Sequence, residues 1–442
     1  MLTCGCSSCS LADVEPSNMH YCLAGVTDAT WESVHGIIGN CSTNPNCAAQ
    51  CDAEAVVNNA VVGANGEWVW TQCCGDCGSN AAIFMFAGLN PETLRDPCSW
   101  TSYILARLNA AFDKSVAEGY DIAGLYVDGM VAFNSEFTHI NYRDTALHAA
   151  SHPPVYDQAG RIAVLSAQDL LAFMDVLAKT LHSRGQFLMG NGQYCQGAPH
   201  FQFPSVFDIA GTEIDWQSGG TPGAEHGFEP PPAMDLLFAR AMSGAKPYLH
   251  LLTTNLATWT KEYTNQYFQI CMVYGIWPAF ETRTGPAYFS TPVLYERDRP
   301  IFKQFIPVLR RINYAGWQPT PYANASDAGA AAVAVNEAPR FSLERFGSVA
   351  EGDVFWTLRR AAAAAKHGIP PIGAAGSTPV RLTLHTTALG LAPSAEGYVF
   401  TEIAQSDSAA IPPVVVSAAA TVDVHLADLR VNTTFVLHLK VE

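Results

Sequence analysis

Four carboxylates stand where an apolar run gives way to polar residues: Asp128 in GLYVDG, Glu213 and Asp215 in FDIAGTEIDW, and Glu281 in IWPAFET. A stretch of β-formers that ends in an acid and a turn residue presents a partly desolvated carboxyl at a strand end. Asp128 is the sharpest case, because Gly129 follows it and allows a tight exit. The plainer reading of such an Asp is a cap for the next helix. Glu213 and Asp215 lie one side-chain period apart and so leave the strand on the same face. Trp216 beside them offers an apolar wall, which raises a carboxyl pKa and can stack on a sugar ring. Neighbouring strands are ~4.8 Å apart, so acids two strands apart can converge to the ~5–5.5 Å at which one carboxylate attacks a glycosidic carbon and the other moves the proton. A salt-bridged rim is the bland alternative for the Glu213–Asp215 pair.

Supporting polar groups follow the same apolar runs. Asn141, Tyr142 and Arg143 come after Asp128, Asn191 and Gln193 after the next run, and Asn255 after another. With Glu281 they are candidate substrate contacts. Trp216, Trp259, Trp277 and Tyr288 could build an aromatic platform, although each alone is ordinary packing. Rival chemistries have weaker support. His148-x3-His152 would need a helix to present both rings to a metal, and Pro153 and Pro154 oppose one. No H-E-x-x-H, G-x-S-x-G or P-loop occurs, and none of the seven lysines ends a strand, as a Schiff-base lysine would. Neither a metal nor a cofactor is expected.

The elements that must position these residues begin near residue 80. Predicted strands over 83–87, 122–128, 187–191, 207–213, 247–253 and 273–280 alternate with predicted helices over 102–116, 166–184, 233–243, 260–271 and 300–313. Ser166 is the expected cap of the second helix, with Leu170, Met174, Leu177 and Leu181 as its stripe and Gly185 as its stop. Alternation of this kind means parallel βαβ units. No G-x-G-x-x-G follows a strand, so an α/β fold of the (β/α)8 TIM-barrel type is expected rather than an open dinucleotide-binding sheet. The count is short at the N-terminus: if 83–87 is the third strand, two more must come from loop-like residues before it. After Trp317 the pattern changes to short β-rich runs at 333–335, 341–346, 354–358, 380–385, 398–403, 413–417, 421–426 and 435–441, which read as an antiparallel β-sandwich. The expected domains are a Cys-rich segment at 1–78, the barrel at 79–320 and the sandwich at 321–442.

The chain has 442 residues, with 24 Lys+Arg against 40 Asp+Glu and a net charge of −16. So few cations leave no basic patch for phosphates, which excludes nucleic-acid binding. No apolar run reaches the ~18 residues that cross a bilayer. Eleven of the 13 cysteines fall within the first 98 residues, at irregular spacings that suit disulfides better than a metal site. Cys195 and Cys271 sit in apolar surroundings, as small buried thiols do. Sequons at Asn40, Asn324 and Asn432 lend weak support to a secretory, glycosylated protein. Residues 1–16 show no basic or apolar leader region, so an upstream start is expected for an extracellular location, intracellular being the alternative.

GLYVDG (124–129), NYR (141–143), HSRGQFLMGNG (182–192), FDIAGTEIDW (207–216), KPYLHLLTTN (246–255), YGIWPAF (274–280) and the long run over 294–319 together resemble glycoside hydrolase-like (β/α)8 proteins with a C-terminal β-sandwich. In layout these are akin to retaining α-glycosidases and endo-α-N-acetylgalactosaminidases. The resemblance covers roughly residues 55–350. It implies Asp128 as nucleophile at the end of the fourth strand, Glu213 as acid/base with Asp215 as its understudy, and a carbohydrate substrate. A carbohydrate-binding barrel without catalysis and a metal-dependent barrel hydrolase are the competing readings.

Overall fold

The computed structural model describes residues 18–23, 59–72, 81–86, 90–95, 99–127, 140–191, 205–214, 216–218, 227–282, 288–327, 341–360, 377–392, 398–404, 420–430 and 432–441. Asp128, Gln193 and Asp215 lie outside them, as do Cys195 and the runs at 333–335 and 413–417. The chain divides into two compact units, Met1–Ala210 and Gly211–Glu442.

In the first unit, β1 (Asn18–Leu23), β2 (Trp70–Gln72) and β3 (Ala81–Phe86) form an antiparallel sheet in the order β1-β3-β2. The apolar run at 83–87 is therefore not a parallel barrel strand. Only residues 73–80 join β2 to β3, too few for the crossover of a dozen or more that a parallel pair needs. Helix α1 (Trp100–Ala117) starts at Ser99, whose side chain accepts the Ser102 N–H, and buries Trp100, Ile104 and Phe112. Strands β4 (Gly124–Val127) and β5 (Phe187–Asn191) pair in parallel, Gly124 opposite Phe187. A Cβ at Gly124 would stand 2.2 Å from the Phe187 carbonyl oxygen, so the close approach requires glycine.

Between them, α2 (Ser166–Ser183) buries Leu170, Met174, Leu177 and Leu181 as one stripe and is stopped by Gly185 at φ +73°. Ser166 is not its cap. Leu165 takes that position and makes no side-chain bond. Strand β6 (Ile209–Ile214) opens beside β5, where the Asp208 N–H donates to the Leu188 carbonyl at 2.8 Å and the Asp208 carboxylate accepts the Leu188 N–H at 2.7 Å.

In the second unit, β6 is followed by β7 (Tyr248–Thr254) and β8 (Ile276–Thr282), side by side in that order. β7 and β8 run parallel, in register from Tyr248 opposite Ile276 to Thr254 opposite Thr282. Within each unit the parallel strands follow one another in chain order. The helices between and after them are α3 (Ala233–Ser243), α4 (Lys261–Tyr274) and α5 (Pro292–Ala315). Thr260 caps α4 by accepting the Tyr263 N–H at 3.1 Å. Helix α5 begins a turn or more earlier than Pro300 suggests: Pro292 occupies its first turn, and Pro300 and Pro307 lie inside it. A proline costs a helix interior ~3 kcal/mol. Burial of Ile301, Phe305, Val308, Leu309 and Ile312 offsets that cost.

The strands after α5 are β9 (Trp317–Gln318), β10 (Ala323–Asp327), β11 (Phe341–Ser348), β12 (Asp353–Arg360), β13 (Ser377–His385), β14 (Phe400–Glu402), β15 (Thr421–Arg430) and β16 (Thr434–Lys440). They make two antiparallel sheets, β9-β11-β12-β16-β14 and β10-β13-β15. Val354, Trp356 and Leu358 from one sheet pack with Val380, Leu382, Leu384, Val424 and Leu426 from the other. β12 is buried on both faces. Its outward Thr357 donates to the Val273 carbonyl at 2.5 Å, and Thr434 bonds Gln269 through both its N–H and its hydroxyl. The sandwich is thereby fastened to α4.

Two sequence expectations meet their structure here. Cys271 is a free, buried thiol, and no disulfide occurs among the described residues. The sequon at Asn432 is closed to glycosylation in the folded chain, because its side chain is fully buried and accepts from Arg359 at 3.0 Å.

Candidate functional site

Strand alternation sorts β6, β7 and β8 into two faces. One face packs on α4. There the Thr212 and Tyr248 hydroxyls meet, the Trp216 indole N–H donates to His250 Nε2 at 2.7 Å, and the Tyr267 hydroxyl donates to the His250 carbonyl at 2.7 Å. Since Nε2 accepts, the imidazole proton sits on Nδ1. Complete burial pushes His250 down to about 3, against a weaker pull from the Ile214 backbone. Trp216 is fully buried, edge-on to Phe228, His250 and Tyr267 at 5.7, 5.0 and 4.7 Å between centroids. It is an inner wall behind the strand end rather than an open stacking surface.

The opposite face carries Glu213 with Leu249, Leu251 and Thr253 of β7. By register it also carries Trp277, Ala279 and the position of Glu281 on β8. Glu213 is exposed, and Leu249, Leu251, Trp277 and Ala279 are half-buried, so this face is open to water. The Thr212–Tyr248 and Trp216–His250 contacts set Glu213 level with the 248–250 stretch of β7. Trp277 lies opposite Leu249 at the same level. Glu213 and Trp277 therefore flank β7 two strand spacings apart, about 10 Å between backbones. Glu281 pairs with Thr253 instead, three or four residues further along, roughly 10–13 Å at the rise of an extended strand. The Thr253 hydroxyl is buried and has no hydrogen-bond partner among the described residues. Leaving it so costs ~1–3 kcal/mol, which water or a ligand hydroxyl relieves.

Asn255 is exposed after β7, and its Oδ1 accepts the Ala257 N–H at 3.1 Å, shaping the turn that leads to Trp259 and the α4 cap. Beyond β8, the fully buried Asp298 of α5 accepts from Thr264 and Tyr288 at 2.7 Å each and from Arg297 at 2.7 and 2.8 Å. Tyr288 stacks on Phe280 of β8, with centroids 4.4 Å apart. This network holds the chain that leaves the strand. Sequence reasoning missed Asp298, though an acid in line with Ile301 and Phe305 on an apolar helix stripe was its signal.

In the first unit the expected contacts are engaged with protein. Asn141 is buried, and its Oδ1 accepts the Val62 and Arg143 N–H groups at 3.1 Å each. The Tyr142 hydroxyl donates to Asp157 at 2.8 Å, and Arg143 Nε donates to the Ala60 carbonyl at 2.9 Å. Asn191 ends β5 and is buried. His148 Nδ1 bonds the Asp144 carbonyl, whereas His152 pairs with Asp169 at 2.9 Å, so the two histidines have separate partners. Burial pushes the Asp169 carboxyl up to about 6 despite His152. Among the described residues no group of three or more His, Cys, Asp or Glu is placed to hold a metal.

No family model matches the chain, and no curated protein does. Solved structures similar to it include glycoside hydrolases. A GH36 α-galactosidase from Geobacillus stearothermophilus, in complex with raffinose, is 10% identical, with a TM-score of 0.41 over 97% of this chain and 44% of that one. A family 39 glycoside hydrolase from Bacteroides cellulosilyticus is 13% identical, with a TM-score of 0.28 over 62% and 54%. A family 51 α-L-arabinofuranosidase from Bifidobacterium longum is 10% identical, with a TM-score of 0.25 over 63% and 64%. The chain spans less than two thirds of each of these proteins.

Proposed function

We propose that this chain is a retaining glycoside hydrolase built on a (β/α)8 barrel with a C-terminal β-sandwich. Asp128, which follows the last residue of β4, is the nucleophile, and Glu213 is the acid/base, with Asp215 as the alternative proton donor. The Asp128 carboxylate attacks the anomeric carbon as the glycosidic C–O bond breaks, and the Glu213 carboxyl gives its proton to the leaving oxygen. Glu213 then takes a proton from water, whose oxygen displaces Asp128 and restores both groups. Asn191, Gln193, Asn255, Trp277 and Glu281 bind the sugar, and no cofactor takes part. The observation that supports this reading is the exposed Glu213 on an open sheet face that it shares with a half-buried Trp277. The protein travels the secretory route, with its front cysteines joined and Asn324, exposed on β10, as the open sequon.

A second reading, glycan binding without cleavage, is favoured by one observation: Glu281 stands at a different level from Glu213 along the strands. Hydrolysis of a panel of aryl α- and β-glycosides by wild type, Asp128→Asn and Glu213→Gln separates the two. Turnover of one glycoside, lost a thousandfold or more in both variants, is expected. That is about 4 kcal/mol of barrier. Turnover retained in both variants moves the active site elsewhere. Binding without turnover by all three proteins leaves the non-catalytic reading.

A further inference from the structure

The second unit holds a cavity of about 470 Å³ between the last turns of α5 and the β11–β12 turn, lined by Arg311, Tyr314, Glu351, Asp353 and Phe355. Its volume is that of a small-ligand site. Its polar groups are held in place before any ligand arrives. Arg311 lies over the Phe355 ring at 5.5 Å and donates to His438 Nδ1 at 3.2 Å. His438 in turn stacks on Phe355, at 4.5 Å and 12°. Because Arg311 has only N–H groups to offer, His438 Nδ1 accepts and its proton is on Nε2, which donates to Asp353 Oδ1 at 2.5 Å. The imidazole thus links Arg311 to Asp353. Glu351 is held in turn by the Ser348 hydroxyl at 3.0 Å. Tyr314, one turn beyond Arg311, is 86% exposed.

The combination selects a ligand class. A cation has no use for Arg311, and an anion none for two carboxylates. A pair of neighbouring hydroxyls needs a donor and acceptors side by side, because each hydroxyl both gives and takes a hydrogen bond. An exposed aromatic face beside such groups suits a sugar ring, whose C–H surface is apolar. The cavity is lined from α5 and the β11–β12 turn, whereas Glu213 belongs to β6. We propose that it is a second saccharide site, which binds vicinal hydroxyls of a neutral glycan with Tyr314 as the stacking surface. It is independent of the reading of Glu213.

Binding to an array of neutral oligosaccharides (glucans, galactans, mannans and xylans) by wild type, Tyr314→Ala, Glu351→Gln and Glu213→Gln tests this. Tyr314→Ala changes a solvent-facing side chain and should keep the wild-type melting temperature. At least one glycan should bind wild type and Glu213→Gln alike, and bind Tyr314→Ala and Glu351→Gln tenfold or more weakly. Aryl-glycoside hydrolysis by Tyr314→Ala should equal wild type, if wild type hydrolyses any. Glycan binding lost in Glu213→Gln but unchanged in Tyr314→Ala would assign the saccharide to the strand face and overturn the proposal. So would an array with no neutral glycan bound, or binding displaced by spermidine.

Discussion

Replacing His250 by Gln should remove a pH dependence that the wild-type fold carries. The imidazole is fully buried and neutral, with its folded value about 3 against 6.5 for the free side chain. Between those values the unfolded chain binds the proton and the folded chain does not, so stability falls as pH falls. At pH 5 the unfolded histidine is protonated about 30 to 1, which costs the fold about 2 kcal/mol relative to pH 8, rising to about 4 kcal/mol at pH 3. The glutamine amide could still accept the Trp216 indole N–H but does not titrate. Urea unfolding of both proteins at pH 8, 6.5 and 5 reads the effect, with equal m-values as the condition for comparing them. His250→Gln loses packing and should be less stable than wild type at pH 8, and the gap should close by about 2 kcal/mol at pH 5. Carboxylates shared by the two proteins cancel in this difference. A gap that stays constant across the three pH values would refute a neutral, buried His250. The same result would remove the Trp216–His250 contact as the anchor of the chain just beyond Glu213.

Two further outcomes follow from buried acids. Burial pushes Glu344 from 4.5 up to about 7, against its bond from Trp317 and the charge of Arg240. The folded state then binds the extra proton between those values, so this group weakens the fold as pH rises; Glu344→Gln should gain up to about 3 kcal/mol at pH 8 and nothing at pH 4, by chemical denaturation. Asp298→Ala leaves Arg297 without its carboxylate partner and two hydroxyls without their acceptor, and should cost ~3–5 kcal/mol; a loss under ~1 kcal/mol in thermal or urea unfolding would show that the network contributes little.

Much of the architecture was legible in local pattern. Ala233–Ser243 and the Leu170–Leu181 stripe follow from helical periodicity, and β13, β15 and β16 follow from β-rich runs between turn residues. Such signals are carried by residues within one turn or one strand, so the chain displays them without its partners. Strand partnership is different. The run at 83–86 reads as a strand under either arrangement, and only the short link from β2 makes it antiparallel. Helix α5 runs through two prolines because its apolar stripe finds a buried face, which no local propensity records.

For the site, residue type and spacing determined that Glu213 ends a strand and that Trp277 lies on another. Tertiary structure alone decided that Glu213 faces water while Trp216, three residues on, is sealed against His250. It decided too that Asn141, Tyr142 and Arg143 serve the chain around Ala60 and Val62 and Asp157, and that Arg311, His438 and Asp353 meet. A side chain's type sets which bonds it can make. Which groups arrive within 3 Å of it depends on segments distant in sequence, and that is settled only when the sheets and helices pack.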